Sequence, residues 1–432
     1  MTVCTKPEPC VSARRRPAPR FAAVAMSAAL ACFTFGAAAE TSPYYIGVSQ
    51  SLSHDSNLLR LPTVQTAPDG YSRADTVSGT ALLAGFDQRI SRQRVFADLT
   101  LRANRYSNNS VFNNTGYSLS TGLDWQTVER LSGRLSASAN RSLQLMSTAE
   151  LGFLTSKNLE SVETFNASAT LGMVTQYSLE FNGGHRQAHN SLQDPGVQSR
   201  EFKQDNASLG VRWRPSSATS LGLAVGVTQG RYPKFRSNAA GGFDADRYKR
   251  NEIELSATLR PTGASTVDAR ISSGRTNYDL NEQRNFSGLT GFVNWGWQPT
   301  GKLRLNTTLS RDTGQDSYAT TVFNVPATSD YSRVTSTLRT AVNYDFSAKV
   351  AFVTSLAYYD RKLVSTIQNP FLPRDARGTE KTTLLNLGVR WTPLRSAQVG
   401  CDIGREDRRG SGQLTSDLRA NSFSCFGQIT LQ

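Results

Sequence analysis

From about residue 44 onward, hydrophobic and polar positions alternate one by one. Leu221, Leu223, Val225 and Val227 fall on one face, with Gly222, Ala224, Gly226 and Thr228 on the other. Leu303, Leu305, Thr307 and Leu309 oppose Lys302, Arg304, Asn306 and Thr308, and Leu385, Leu387, Val389 and Trp391 oppose Asn386, Gly388 and Arg390. A repeat of two is the strand period. No helical period runs beyond two turns. Eighteen segments read as strands: 44–53, 76–90, 93–107, 116–127, 131–142, 159–174, 177–188, 199–214, 218–231, 247–260, 264–276, 286–298, 301–312, 332–346, 348–363, 378–392, 395–406 and 420–431. Most exceed the length usual in globular sheets. They suit a tilted membrane-crossing strand with an overhang.

The connections alternate in length. Short ones carry turn chemistry: Arg214-Pro215-Ser216-Ser217, Arg260-Pro261-Thr262-Gly263, Gln298-Pro299-Thr300-Gly301 and Thr392-Pro393-Leu394-Arg395. Proline fixes φ there and glycine supplies positive φ. The long ones, such as 54–75, 143–158, 232–246, 313–331 and 363–377, are polar. All five tryptophans (Trp125, Trp213, Trp295, Trp297 and Trp391) stand just before short turns, as a periplasmic aromatic girdle requires. The expected fold is all-β: a transmembrane, antiparallel, up-and-down β-barrel of about 18 strands, with 16 as the neighbouring solution. Its place is the bacterial outer membrane.

Residues 1–39 read as a secretory signal peptide, which leaves 40–432 as the barrel. Arg14, Arg15, Arg16 and Arg20 precede an apolar stretch from Phe21 to Phe35, and Ala37-Ala38-Ala39 offers a cleavage site. Composition agrees with this picture. Hydrophobic residues make up 38% of the 432, too few for a helical membrane protein, while 20 Phe, 14 Tyr and 5 Trp are too many for a disordered chain. Without residues 1–39 the chain has 43 Lys and Arg against 33 Asp and Glu, a net charge of about +10.

Strand parity sorts those charges. Every second strand ends in an arginine beside the long loops: Arg105, Arg141, Arg186, Arg231, Arg275, Arg311, Arg361 and Arg405. Six share a face with apolar residues. They point outward above the hydrocarbon band, towards lipopolysaccharide phosphates, for which arginine is a bidentate partner. Arg186 and Arg361 have the opposite parity and suit a pore mouth. The lumenal parity carries Arg102, Arg134, Arg212, Arg270, Arg304 and Arg390, among Asp98, Glu180, Glu254 and Asp402. These arginines either concentrate anionic solutes or pair with the acids across the wall.

Little else in the chain suggests chemistry. The imidazoles are His54, His185 and His189, and the latter two are too far apart along a strand to share a metal. No P-loop, G-x-S-x-G or H-E-x-x-H pattern occurs. The arginines are dispersed rather than clustered for nucleic acid. The chain is therefore expected to be no enzyme, to bind no metal or other cofactor, and to have no nucleic-acid partner. A hairpin centred near Gln413 sets Cys401 opposite Cys425, either as a disulfide or as two small wall residues. Asp55, Asn57 and Arg60 form either a functional group or the cap of an ordered loop.

One family resembles this layout: the outer-membrane β-barrel encoded with exopolysaccharide-biosynthesis genes, often beside an exosortase system, within the broader β-barrel porin group. The resemblance is carried by Tyr45-Ile46-Gly47-Val48, the run from His54 to Leu61, Asp75-Thr76-Val77, Gln93-Arg94-Val95-Phe96, Trp391-Thr392-Pro393 and the final cysteine pair. It implies export of a polysaccharide across the outer membrane, with a periplasmic export partner below. A diffusion porin, general or solute-specific, and a surface or structural barrel with a closed lumen are the rival readings.

Overall fold

The computed structural model describes residues 42–145, 147–148, 152–153, 156–172, 175–238, 240–280, 282, 285–313, 332–364, 377–412 and 415–432. The chain divides into two units, 1–41 and 42–432, and the described residues all belong to the second. The signal-peptide expectation falls on residues outside the described ones.

The barrel strands are β1 (Tyr44–Asp55), β2 (Asp75–Ile90), β3 (Gln93–Tyr106), β4 (Asn114–Gln126), β5 (Leu131–Leu143), β8 (Leu159–Leu171), β9 (Tyr177–Asn190), β10 (Phe202–Ser216) and β11 (Thr219–Ser237). They continue as β12 (Phe243–Thr262), β13 (Ser265–Tyr278), β14 (Phe286–Trp297), β15 (Leu303–Asp312), β16 (Ser332–Asp345), β17 (Val350–Val364), β18 (Arg377–Leu394), β19 (Ala397–Gly412) and β20 (Leu418–Leu431). A small hairpin, β6 (Ser147–Thr148) with β7 (Gly152–Phe153), decorates one loop, and a single helical turn, α1 (Pro195–Gln198), another. Each barrel strand pairs antiparallel with its sequence neighbours, and β1 closes on β20. The result is an 18-stranded closed sheet without edges.

Side-chain parity holds across every seam. Val48 stands opposite Leu82 and Ile429, Leu82 opposite Leu101, and Leu209 opposite Val225. One residue set therefore faces outward all the way round, because a one-residue slip would turn a whole strand inside out. That outer set is apolar and bare. Leu223, Ile253, Leu255, Ile271, Leu309 and Ile403 are all more than half exposed. A continuous apolar surface of this extent needs hydrocarbon around it, not water.

The turns at one end are short (91–92, 217–218, 263–264, 395–396), whereas 56–74, 144–158 and 313–331 at the other are long. The segment 232–246, read from sequence as a loop, is mostly strand. β11 and β12 run on past the apolar band through a bulge between Tyr232 and Arg236, and only 238–242 turn the chain. Polar residues here still satisfy the ladder, and Arg236 pairs with Asp244 at 3.1 Å. Period-two hydrophobicity stops at the membrane surface, but backbone pairing does not.

Candidate functional site: the lumen and its mouth

The inward-facing positions are small and polar over most of the wall: Ser118 and Ser120 on β4, Ser136 and Ser138 on β5, Asn166 and Ser168 on β8, Asn182 on β9, and Gly222, Ala224 and Gly226 on β11. Against them stands a belt of charges in the half nearer the short turns. Arg134 bonds bidentately to Asp124, which also takes Arg94 at 3.6 Å, and Arg94 holds Asp87 at 2.6 Å. Arg212 reaches Glu180 at 2.5 and 2.9 Å, Arg270 reaches Glu254 at 3.6 Å, and Arg304 reaches Asp345 at 2.8 Å. Arg390 grips Asp402 through both carboxylate oxygens, at 2.8 and 3.0 Å. Arg102 is engaged as well. Five of the six lumenal arginines thus have an acidic partner in the wall. Paired in this way, they cancel rather than sum, and the lumen carries no large cationic field.

Inner-wall aromatics lie flat. Tyr45 covers its cross-strand neighbour Gly85, Phe96 covers Gly122, Tyr248 covers Gly230 and Phe426 covers Gly400; a Cβ on any of these glycines would strike the ring. Glycine opposite an aromatic lets the ring rest on the backbone, so the bulk stays out of the passage. Guanidinium groups then sit over the phenyl rings. Arg94 and Arg134 lie 5.2 and 5.8 Å from the Phe96 centroid, Arg270 5.4 Å from Phe292 and Arg390 5.3 Å from Phe426.

At the long-loop end, side chains fold into the mouth. The connection 56–74 turns at Arg60, whose φ of +52° is unusual for a non-glycine residue. Asp55 Oδ1 accepts the Asn57 amide proton at 2.8 Å, the Asn57 side chain bridges both backbone groups of Leu61, and Arg60 donates to Asp55 Oδ2 at 2.8 Å. Asp55, Asn57 and Arg60 therefore build an ordered loop turn. Arg60 goes further and meets inner-wall Glu406 at 2.8 Å. Burial opposes its charge, but Asp55 and Glu406 more than offset that and raise its pKa above the ordinary arginine value. Glu406 also binds Arg408, which lies 3.7 Å from Glu380, and Glu380 in turn holds Arg361 at 2.9 Å. A chain of buried ion pairs thus runs from β17 across β18 and β19 to the 56–74 loop and β1.

On the other side of that loop, Leu59 and Leu61 are fully buried against Phe112, Leu143 and Leu159, with Tyr71 and Tyr106 alongside. A second apolar cluster stacks Phe202, Tyr232, Tyr248 and Tyr278 across four neighbouring strands, with ring centroids 5.2–6.1 Å apart. Arg186 points inward here, 5.3 Å from the Phe202 ring. At this end the 56–74 loop docks on inner-wall Glu406, while the middle of the wall carries small residues.

The outer face is arranged differently. Trp125, Trp213, Trp295, Trp297 and Trp391 all point outward beside the short turns, and Trp295 stacks on Trp297 at 5.5 Å. Arg105, Arg141, Arg231, Arg275, Arg311 and Arg405 point outward at the opposite end, whereas Arg186 and Arg361 point inward. Cys401 and Cys425, directly opposed on β19 and β20, form a disulfide on the outer face. His185 pairs with Asp205 at 2.7 Å and His189 with Glu201 at 2.9 Å. No group of metal-ligand residues occurs among the described residues.

Only closed barrels and helices can carry a backbone across hydrocarbon, and this barrel has an apolar outer band, an aromatic girdle at one end and long loops at the other. The chain is an outer-membrane β-barrel.

No family model matches the chain, and no curated protein matches it. Solved structures similar in architecture include Pseudomonas aeruginosa OccK2 (OpdF), at 11% identity over 90% of this chain and 98% of that one, with a TM-score of 0.48. The P. aeruginosa outer membrane protein opdK is similar at 12% identity, over 90% and 98%, with a TM-score of 0.46. A mutant of the P. aeruginosa ferric enterobactin receptor PfeA follows at 8%, over 90% and 81%, with 0.43. Likeness at this level carries no argument about what passes through the barrel.

Sequence reading overlooked two parts of the mouth. The tyrosines at 232, 248 and 278 share inward parity at strand ends beside long loops, and that parity was a usable signal. The Arg60–Glu406 contact joins residues at opposite ends of the chain, and no local pattern announces it.

Proposed function

We propose that the chain is a passive diffusion porin for small hydrophilic solutes. The observation that carries this reading is a polar inner wall whose arginines are largely paired with wall acids, beneath a 56–74 loop that docks through Arg60 on inner-wall Glu406. Such a wall offers water-like partners to a solute without a deep binding step. Charges already paired with each other give weak ion selectivity. Purified barrel in planar bilayers should conduct with little preference between K+ and Cl−, and proteoliposomes should swell in small neutral sugars but not in long oligosaccharides. Absence of conductance would overturn this reading in favour of a closed surface or structural barrel.

A second reading is export of an extracellular polysaccharide with a periplasmic export partner. It draws support from the sequence resemblance spread over Tyr45–Leu61, Gln93–Phe96 and Trp391–Pro393. The arginine-covered phenyl rings count against sliding contacts with sugar faces. A clean deletion strain separates the readings: loss of secreted glycan with periplasmic accumulation favours export, and unchanged glycan in both fractions favours the porin.

A further inference from the structure

The outward arginines do not form an even ring. On β10 to β13 they join lysines in one patch. Lys203 on β10 stands directly opposite Arg231 on β11, and Arg231 stands opposite Arg247 on β12. Lys249 lies two residues further along β12, and Arg275 on β13 faces Asn251, one outward step below it. At roughly 5 Å between strands and about 3.3 Å per residue, five cationic side chains occupy a patch about 15–20 Å across. All five are exposed.

Four of them, Lys203, Arg231, Arg247 and Lys249, have no carboxylate partner among the described residues, and Arg275 bonds only to neighbouring Asn277. On these four strands the one acidic residue at an outward position is Asp205, which His185 holds, and just past the end of β13 Asp279 lies across from Arg247, donating its backbone N–H to the Arg247 carbonyl at 2.9 Å. The patch begins two outward steps above the last apolar residues, Ala207, Val227, Ile253 and Ile271. That is headgroup height.

Elsewhere on the rim the cations are spread out or share the surface with more acids: Lys362, Lys381, Arg405, Arg409 and Arg419 on β17–β20 lie among Asp360 and Asp407. Arg105 faces Ser78, Arg311 faces Gly291 and Ser336, and Arg409 and Arg419 share Asp407. The lumen lies on the other side of the wall, so a solute in the passage cannot reach this patch.

We propose that this patch is a binding site for the phosphates of a lipid A molecule in the outer leaflet. A glycolipid headgroup bearing two separate phosphates fits two neighbouring cation groups, Lys203–Arg231–Arg247 and Lys249–Arg275. Arginine supplies bidentate contacts to phosphate, and lysine supplies point charge. Acyl chains below would lie along Leu223, Val225, Ile253 and Ile271.

The test uses the full barrel in detergent, titrated with bisphosphorylated lipid A, monophosphoryl lipid A and phosphatidylglycerol, and read by native mass spectrometry. A patch variant carries K203Q, R231Q, R247Q and K249Q. A control variant carries R105Q, R141Q, R311Q and R405Q and loses as many charges. Wild type and control should bind bisphosphorylated lipid A at least tenfold more tightly than the patch variant, and more tightly than the monophosphoryl form. Equal weakening of both variants would overturn the site, because charge alone would then suffice. Equal binding of phosphatidylglycerol would overturn the assignment to lipid A. Should the fourfold patch variant fail to fold, R231Q and R231K decide: the lysine variant should retain more binding than the glutamine one, and indistinguishable binding would overturn the proposal.

Discussion

Arg212 and Arg231 sit on adjacent strands of the same barrel and have opposite surroundings. Arg212 points inward and is clasped by Glu180 through two hydrogen bonds. Arg231 points outward between Lys203 and Arg247. The same contrast holds more widely. Inner-wall arginines are matched by acids nearly one for one, whereas the outer rim on β10–β13 is basic with a single, already partnered, carboxylate. Among the described residues, the cations of β10–β13 that lack an acidic partner therefore lie on the lipid-facing rim and not in the passage. Net charge from composition says how much charge there is. Only strand parity and register say which compartment feels it.

The largest expected effect comes from breaking the inner network where it anchors the mouth. Arg60→Ala removes one partner from buried Glu406 and frees the turn at residue 60. Truncating one member of a buried pair costs about 3–5 kcal/mol, less here because Arg408 stays on Glu406. Single-channel conductance should rise, and protease should cut within 56–74 faster than in the wild type; unchanged conductance and cleavage would detach the loop from the passage.

The outer face has one covalent link of its own. Replacing Cys401 and Cys425 with serine should lower resistance to heat or urea by up to about 3.5 kcal/mol, the chain-entropy value for a closed loop of this length, with 24 residues separating the cysteines. Conductance should stay as it was, since both side chains face away from the lumen. Heat-modifiable gel migration measures the first effect and planar bilayers the second.

Gly230→Val tests whether glycine holds the aromatics flat. The added side chain meets the Tyr248 ring, and overpacking of this sort costs about 1–3 kcal/mol. Displacement of Tyr248 into the passage should lower conductance without changing ion preference.

The smallest effect tests the comparison most directly. Arg212→Ala leaves Glu180 with only Arg214, 3.8 Å away, and should move the permeability ratio towards cations by about twofold. Arg231→Ala should leave that ratio unchanged, because the wall separates it from the permeating ions. A matched shift in both variants, measured as reversal potential across a KCl gradient, would break the distinction between the two faces.

The barrel was legible in the sequence because its cause is local. A strand between lipid and water must alternate every second residue, so parity, strand number, turn side and girdle could all be read from runs such as Leu221–Thr228. The alternation also ranked Arg105 and Arg212 onto opposite faces. It failed at 232–246, where the strands leave the hydrocarbon and apolar spacing no longer marks them, although Arg236 and Asp244 still pair. The tertiary structure alone decided which arginine meets which acid, that Arg60 reaches Glu406 across the seam where the chain's two ends meet, and that five cations from four strands gather on one patch of rim. Those outcomes depend on register between segments tens to hundreds of residues apart. Period two fixes which face a side chain takes, but it says nothing about the neighbour it finds there.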